Sequence, residues 1–421
     1  MSSTIKPFKA YLYNLEKVEA AKVVCPPYDV ISEDDQTKLH ERSPYNFTHI
    51  DLGKDKPADT KENNKYTRAK TIFDSWVEKK IIVPEEETGI YFYKQEYKIV
   101  GQKYSRVGFI SLMHLKDGQE SKVFPHENTH AHAVDDRLQL TKALDANLSC
   151  IFVCYSDQQK KVEKIFSHKV ESTKPIVDVK DDDGVHHILW KLSDPALISQ
   201  IQQTLEGQHL FIADGHHRFK VANEYRQYRI GNKKNGNEDA PFNYVMTYFT
   251  NIDSKDLKIF PMHRIVKTFK GNVNFLEEFF RIDKVKNKVE MPIVLAQAGR
   301  NEHAFVMYSK DGIKLLRLKN RLLIDEVVKE GSSDYKRLDA VILKNFVFDK
   351  LSIKSEDIMY TKDMNEVMNQ VDNGQADAGF IMNPVRIEQL KAIALNGEKM
   401  PPKTTYFYPK VLSGLTVYKM E

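Results

Sequence analysis

The sequence predicts an α+β protein in which strands and helices follow one another irregularly. Residues 89–115 alternate apolar or aromatic side chains with polar ones, which is typical of strands, and residues 67–82 carry apolar side chains at helical spacing. At 421 residues with 41% hydrophobic side chains, the chain can build more than one core. Internal repeats, heptad runs and low-complexity segments are absent from the sequence.

The first region, residues 1–120, contains a proline-rich turn, a helix and a hairpin. The turn is "VVCPPYDVIS", where two prolines stiffen the chain before Tyr28 and Asp29. The apolar spacing of residues 67–82 predicts a helix that Pro84 ends. The alternation in residues 89–115 predicts a hairpin and a further strand.

The second region, residues 121–270, contains most of the residues that carry chemistry, and a third region, residues 271–421, completes the chain. In the second region we expect a histidine-rich loop, a helix over "DDRLQLTKALDAN", a core strand around Ile151 and a strand-to-helix turn at "LFIADGHHRF". The third mixes strands such as "HAFVMYS" and "DAGFIMNP" with helices over "RLDAVILKNFVFDKL" and "RIEQLKAIALNG". It ends with the loop "MPPKTTYFYPK" and the segment after it.

Composition argues against several classes of partner. Lysine and arginine total 63 against 59 acids, and a net charge of +4 does not favour a nucleic-acid or membrane surface. No apolar stretch approaches the roughly 18 residues of a membrane span. The three cysteines form no disulfide framework, so we expect a cytoplasmic protein in a reducing compartment. The oligomeric state stays open.

The turn at residues 214–218 has the residue types of an anion site. Gly215 permits a positive φ and close approach of the backbone, and the helix start behind it carries unpaired N–H groups and a positive dipole end. The Arg218 guanidinium is suited to phosphate, Asp214 to Mg²⁺, and His216 or His217 to a phosphate contact or a proton transfer. We therefore predict phosphate with a metal, although Asp-Gly turns and histidine pairs are also common structural features.

The stretch His126 to His130 formally matches H-E-x-x-H, the pattern of zinc proteases. Pro125 precedes it and no apolar stripe accompanies it, so a zinc hydrolase is the weaker alternative. We interpret Glu127 instead as a carboxylate in a histidine-rich loop that acts as a general base toward a hydroxyl, with a solvated loop acid as the alternative.

Other candidates lie in proline-rich loops. Tyr28, Asp29 and His126 are candidate substrate contacts, with a capped structural turn as the alternative for the first two. Lys403 and Thr404, followed by Thr405, offer a cation and hydroxyls for phosphate, with a stiff connector as the alternative. His263 and Arg264 fit a strand end slightly better than a second cationic contact.

Several segments in order resemble one family, the domain of unknown function 1015. They are "VVCPPYDVIS", "SPYNFTHIDLG", "FPHENT", "DDRLQL", "FIADGHHRFKVA", "IFPMHRIV" and "MPPKTTYFYPKVLSGL". Residues 125–222 are similar to the ParB/sulfiredoxin superfamily, whose relatives include free-serine kinases that use ADP, ATP or inorganic pyrophosphate. The pyrophosphate-dependent serine kinases are the most similar to this family.

The resemblance implies an activity and roles for particular residues. It implies a serine kinase in which Glu127 is the base, Asp214 the metal-linked acid and Gly215 to Arg218 the phosphate-binding turn. From its chemistry, we expect His217 to be the catalytic histidine of that turn. No cysteine lies near residues 214–218, which argues against sulfinic-acid reduction, and no helix-turn-helix segment follows, which argues against DNA partition. The expected substrates are L-serine and pyrophosphate or a nucleotide, with Mg²⁺. The main alternative is a nucleotide-binding switch module.

Overall fold

The computed structural model describes residues 3–231, 238–268 and 273–420. The chain divides into two compact units, and each is discontinuous in sequence. Unit 1 comprises Met1–Pro125, Thr129–Leu257 and Pro409–Glu421, and unit 2 comprises His126–Asn128 and Lys258–Tyr408. Within the described ranges, no helix is long and apolar enough to cross a membrane.

The strands are short apart from one long hairpin. In chain order they are β1 Ile5–Lys6, β2 Tyr11–Tyr13, β3 Ile82–Pro84, β4 Ile90–Ile99, β5 Gln102–His114, β6 Val123–Phe124, β7 Ala146–Asn147, β8 Ile151–Tyr155, β9 Val177–Lys180, β10 His186–Leu192, β11 Leu210–Asp214, β12 Tyr244–Asn251, β13 Lys258–Phe260, β14 His263–Val266, β15 Phe280–Lys284, β16 Ala304–Ser309, β17 Gly312–Leu318, β18 Ile358–Thr361, β19 Ala378–Ile381, β20 Tyr406–Tyr408 and β21 Tyr418–Lys419.

The helices are α1 Ala20–Val23, α2 Glu33–Arg42, α3 Thr48–Asp51, α4 Lys65–Glu78, α5 Ala131–Leu144, α6 Lys161–Ile165, α7 Pro195–Leu205, α8 His216–Gly231, α9 Leu276–Phe279, α10 Met291–Ala298, α11 Leu322–Val327, α12 Ser333–Lys336, α13 Asp339–Leu343, α14 Met364–Asp372 and α15 Ile387–Leu395. Two π-helical segments, Phe166–Val170 and Lys344–Phe348, continue α6 and α13. A 3₁₀ turn at Tyr28–Val30 follows the two prolines of the first region.

Unit 1 is built on a sheet of nine strands within the described residues. Its order is β6-β11-β8-β12-β5-β4-β10-β9, with β1 added on β5. The β4–β5 hairpin lies near its centre, and its aromatic residues Phe92 and Phe109 share one buried core with apolar residues of β8, β12 and α7. A second core, around Phe73 and Trp76 of α4, packs against Phe47 and the N-terminal segment. Helices α5 and α8 pack against each other.

Unit 2 is built on an antiparallel sheet of six strands within its described residues. The order is β15-β17-β16-β19-β14-β18. Its core joins Ile265, Val306 and Leu315 of the sheet to Leu295 of α10 and Val367 of α14. Strands β13 and β20 form a separate pair.

The fold confirms the α+β prediction and corrects the end of one predicted helix. The predicted helix over residues 67–82 ends at Glu78, because Lys80 adopts a positive φ of 54° and residues Ile82–Pro84 pair with β2 instead. The division into three regions stays a prediction, and strand pairing joins the first two of them. Strands β4 and β5 of the first region pair with β10 and β12 of the second. Hydrophobic periodicity locates strands, but it does not identify their partners.

Candidate functional site

The strand and the helix around residues 214–218 lie where the apolar spacing of the sequence predicts them. Strand β11 ends at Asp214, and α8 begins at His216. The register of β11 against β8 shifts between Ile212 and Asp214, and such a bulge re-aims the side chain that follows it. Gly215 has φ +86°, and a Cβ there would lie 3.0 Å from the Arg218 guanidinium. The turn therefore needs glycine both for its backbone and for the close approach of Arg218.

Asp214 is the carboxylate of this turn, and hydrogen bonds fix both of its oxygens. Its Oδ2 accepts a hydrogen bond from Lys410 Nζ at 2.8 Å, and its Oδ1 accepts one from the Gly215 N–H at 2.8 Å. Arg218 Nη2 lies 3.9 Å away. Burial alone would raise the pKa of Asp214, but Lys410 and Arg218 outweigh it and hold that pKa well below its usual range. The carboxylate is therefore charged at neutral pH.

Lys410 is a site residue that the sequence does not single out. The backbone around it is fixed by two fully buried side chains of the hairpin. Gln95 Nε2 donates to the Lys410 carbonyl at 2.8 Å, and Arg106 Nη2 donates to the Pro409 carbonyl at 2.5 Å. A lone lysine after a proline gives no sequence signal, because its partner Asp214 is 196 positions away.

Arg218 is held inside unit 1, and its side chain is 11% exposed. Its Nη1 donates to the carbonyl of Cys150, the residue just before β8. Burial lowers the pKa of Arg218, but the neighbouring Asp214 and Asp29 carboxylates outweigh burial and raise that pKa above its usual value. The guanidinium is thus a fixed cation beside the helix start, with one of its nitrogens used for structure.

Tyr28 and Asp29 lie in the same electrostatic environment as Arg218. Burial raises the pKa of the Tyr28 phenol, Asp29 raises it further, and Arg218 and Arg137 oppose the rise. The Arg137 guanidinium lies over the Tyr28 ring at 4.3 Å from its centroid. The structure therefore brings this turn of the first region close to the charges of residues 214–218. Arg137, in the "DDRLQL" segment, was not among the sequence candidates.

The two histidines of the turn differ in their surroundings. His216 is buried. His217 Nε2 accepts a hydrogen bond from the backbone N–H of His130 at 3.0 Å, and the two rings stack with centroids 5.9 Å apart. A ring nitrogen that accepts carries no proton, so the neutral His217 ring has its proton on Nδ1.

The candidates in the two loops around Glu127 and Lys403 lie in unit 2. His126 Nε2 lies 3.3 Å from Thr405 Oγ1, and the same hydroxyl donates to Glu127 Oε1 at 3.4 Å. The Thr404 hydroxyl instead donates to the Pro401 carbonyl at 2.6 Å, and Lys403 is exposed with a φ of 53°. The structure thus joins Glu127 and His126 through Thr405, whereas the Thr404 hydroxyl serves the loop.

The zinc-protease pattern does not take the form that zinc needs. Residues 126–130 contain no helix, so His126 and His130 are not presented on one helical face. His130 instead precedes the first turn of α5. Among the described residues, no group of three histidine, cysteine or acidic side chains is arranged to hold a metal ion. This contradicts the H-E-x-x-H geometry on which the zinc alternative depends.

Asp214 fits a resident metal ion poorly. Both of its oxygens already accept hydrogen bonds, one of them from a lysine that a cation would have to displace. Mg²⁺ often binds through one carboxylate together with the phosphates of a substrate and several waters. The residues present are therefore compatible with a magnesium ion carried by a phosphate ligand.

Comparisons with known proteins place the chain in a family and add distant structural likenesses. Similar solved structures include a free serine kinase in complex with AMP (16% identity, 68% of this chain and 83% of that chain, TM-score 0.35), a C-terminally truncated SbnI from Staphylococcus aureus (11%, 72% and 85%, 0.37) and a conserved hypothetical protein from Pyrococcus furiosus (14%, 73% and 98%, 0.34). At these scores they carry no argument about function.

None of the curated proteins matches this sequence. Residues 5–341 match the family described as "Protein of unknown function (DUF1015)", which confirms the family resemblance, while the ParB/sulfiredoxin relation stays a prediction. Because that match spans most of the 421 residues, the chain belongs to the DUF1015 family.

Proposed function

We propose that this protein is a small-molecule phosphotransferase that phosphorylates free L-serine with inorganic pyrophosphate. The observation that carries the proposal is the pair of cations fixed at the start of α8. Lys410 is held by Asp214 at 2.8 Å, and Arg218 lies against Gly215. Together with the N-terminus of a 16-residue helix, they form a preorganised environment for phosphate.

Phosphoryl transfer is the reaction that such an arrangement serves best. Little covalent chemistry is required of the protein, and most of the catalysis comes from positioning and from neutralising charge on the transferred group. Asp214 contributes by keeping Lys410 in a single place. The buried Gln95 and Arg106 contribute by fixing the backbone of that lysine.

The proposed base is Glu127. In the reaction, the serine hydroxyl oxygen bonds to the terminal phosphorus of pyrophosphate, and the bond from that phosphorus to the bridging oxygen breaks. Phosphate leaves, and the hydroxyl proton passes to Glu127. The Thr405 hydroxyl donates to the Glu127 carboxylate at 3.4 Å and orients it. His126 Nε2 lies 3.3 Å from the same hydroxyl. A carboxylate in this role contributes on the order of 10² to 10⁴ in rate.

Pyrophosphate is the preferred donor for two reasons. The resemblance of the sequence to pyrophosphate-dependent serine kinases supports it, and the sequence has neither the G-x-x-x-x-G-K-[ST] loop nor the G-x-G-x-x-G turn of common nucleotide sites. Mg²⁺ is proposed as the ion that the donor brings with it. When bound, it would reduce the charge on the donor's oxygens.

The test is a direct assay of phosphoserine formation. Purified protein is incubated with L-serine, Mg²⁺ and either pyrophosphate, ADP or ATP, and phosphoserine is measured by mass spectrometry. We expect product with pyrophosphate. Product with only ADP or ATP would keep the kinase and change the donor. Hydrolysis of a nucleotide without phosphoserine would favour the switch module instead.

A further inference from the structure

The segment of unit 1 that carries Lys410 lies outside the sheets. Residues 409–412 form neither helix nor strand, and most of the segment is buried. Buried backbone groups need hydrogen-bond partners, and a segment without a strand partner must find them on side chains. The Lys410 carbonyl accepts from Gln95 and the Pro409 carbonyl from Arg106, and both side chains are fully buried. The place of Lys410 therefore depends on how these two side chains are held.

The Gln95 amide has one orientation that satisfies its partners. Its Oε1 accepts from Arg106 Nε at 3.1 Å and from Arg106 Nη2, so its nitrogen faces the Lys410 carbonyl and donates to it at 2.8 Å. The same nitrogen lies 3.4 Å from His187 Nδ1, and the Tyr93 hydroxyl lies 2.5 Å from that ring nitrogen. An amide nitrogen can only donate. His187 Nδ1 must therefore be an acceptor, which requires that it carry no proton.

Asp181 supplies the contact that keeps Nδ1 unprotonated. Its Oδ2 lies 3.0 Å from His187 Nε2, and its Oδ1 accepts from the Val185 N–H at 2.8 Å. A carboxylate can only accept, so the ring proton lies on Nε2. Burial lowers the pKa of His187, although Asp181 opposes that fall, and the ring is 1% exposed. The ring is therefore neutral at pH 7, with Asp181 selecting its tautomer.

The hydrogen-bonded network extends from a partly exposed acid to the backbone on both sides of Lys410. Asp181 is 23% exposed, and the Tyr93 hydroxyl faces the backbone of Leu412. Tyr93 and Gln95 are fully buried on the same strand, β4. Because buried polar groups destabilise a core unless each one is paired, this network holds its members in one arrangement. A change at its exposed end should therefore alter the backbone around Lys410.

We propose that His187, held in one tautomer by Asp181, is a positioning residue for the donor-binding Lys410. This inference rests on the proposed function and makes it more specific. With its proton on Nδ1, His187 would present a donor to the donating nitrogen of Gln95. Gln95 would then turn, the Lys410 carbonyl would lose its partner, and the lysine would bind pyrophosphate less tightly.

Asp181→Asn tests this tautomer with little change in shape. The asparagine oxygen can keep the Val185 N–H, and its amide nitrogen then donates to His187 Nε2, which moves the ring proton to Nδ1. We expect the pyrophosphate KM to rise at least about threefold with the serine KM unchanged, because the proposed role of Lys410 is with the donor alone. The matched control is Asp178→Asn. Asp178 contacts Nε2 of His186, on the same strand as His187, at 2.7 Å, and the variant should keep the wild-type donor KM.

Two further measurements do not depend on catalysis. ¹⁵N NMR of the histidine rings should place the His187 proton on Nε2 in the wild type and on Nδ1 in Asp181→Asn. Labelling with an amine-reactive ester, read by mass spectrometry, should show Lys410 reacting at least about threefold faster in the variant. Lys191 lies on the same strand as His187 and pairs with Glu85, so it should react at the wild-type rate. A general loosening of the sheet would instead raise both rates.

The outcomes separate this inference from the kinase proposal. If phosphoserine forms but Asp181→Asn keeps the wild-type donor KM, His187 does not position Lys410 and the kinase stands. Equal increases in the labelling of Lys410 and Lys191 would also overturn the inference. If no donor yields phosphoserine, the kinase proposal fails, and NMR and labelling decide the inference alone. A wild-type proton on Nδ1, or unchanged labelling of Lys410 in the variant, would then overturn it.

A second variant serves if Asp181→Asn does not fold. Tyr93→Phe removes the hydroxyl that contacts His187 Nδ1 and faces Leu412, and it keeps the ring that packs in the core. The same selective rises in donor KM and in Lys410 labelling are expected. Wild-type values of both would overturn the inference.

Discussion

The polar groups around Asp214 in unit 1 and those around Glu127 in unit 2 are held in different ways. Asp214 accepts two hydrogen bonds of 2.8 Å, one of them from a lysine whose backbone is itself fixed by buried side chains. Glu127 accepts from Thr405 at 3.4 Å, at the long end of hydrogen bonding. The first arrangement suits a charge that must not move, whereas Glu127 is the carboxylate that we propose takes up a proton during the reaction.

The largest expected effect comes from removing the carboxylate of the proposed base. Glu127→Gln keeps shape and polarity but removes the base, so kcat for phosphoserine formation should fall by about 10² to 10⁴ while both substrates still bind. The control is Glu398→Gln, an acid of unit 2 that accepts from Ser332 and should keep the wild-type rate. A fully active Glu127→Gln would place the base elsewhere, with Asp29 as the next candidate.

The second effect is on stability, and it tests how firmly Asp214 is held. Lys410→Met leaves Asp214 with an uncompensated buried charge, and we expect the free energy of unfolding to fall by about 3–5 kcal/mol. Adding Asp214→Asn should recover much of this loss, because the charge is then gone. The exposed pair Lys70–Asp74 is the control, and Lys70→Met should cost about 0.3–0.5 kcal/mol. A loss below about 1 kcal/mol for Lys410→Met would mean that Asp214 is solvated.

The same contrast explains which parts of the site were visible in the sequence. The strand, glycine and helix at residues 210–231 depend on local patterns, so apolar spacing and an Asp-Gly turn were enough to predict them. Lys410 and His187 acquire their partners only through the fold. Lys410 lies 196 positions from Asp214, and His187 lies 94 positions from Tyr93. No spacing rule connects such residues, and their sequence neighbours do not mark them.

The loop at residues 401–405 of unit 2 shows a second limit of prediction from sequence. The sequence indicated Lys403 and Thr404 as phosphate contacts, and both roles remain predictions. In the structure, the Thr404 hydroxyl donates to the Pro401 carbonyl, and Thr405 is the residue that joins His126 and Glu127. Sequence patterns identify a loop with hydroxyls, but the direction of each side chain depends on backbone angles such as the positive φ of Lys403.

A third prediction compares how the stability of the two units depends on acidic pH. In unit 2, burial and then Arg264 lower the pKa of His263 to about 4. The unfolded chain binds a proton below about pH 6.5 and the folded chain does not until about pH 4, so this stability is complete above pH 6.5 and is lost as the pH falls. At pH 5 the loss should be roughly 2 kcal/mol.

Asp214 should not contribute to that loss. Its folded pKa lies below the usual value of about 3.9, so its share of stability persists until the pH falls under that value. The measurement is urea unfolding at pH 7 and pH 5 for the wild type and for His263→Asn, whose side chain can still accept from the Met382 N–H. An identical pH response of the two proteins would contradict the buried neutral state of His263.

The smallest expected effect tests whether the fixed cation of unit 1 contacts the donor. In Arg218→Lys, a single ammonium replaces a guanidinium that donates to the Cys150 carbonyl and faces Asp214, so it cannot keep the structural contact and bind phosphate in the same geometry. We expect the donor KM to rise about tenfold, equivalent to about 1.4 kcal/mol, with the serine KM and the fold unchanged. Arg226→Lys is the control on the same helix, because Arg226 contacts Asp117 and Asn243 and should keep the wild-type donor KM. Equal donor KM values for wild type and Arg218→Lys would show that Arg218 only supports the turn, and the phosphate would then depend on Lys410 and the first turn of α8.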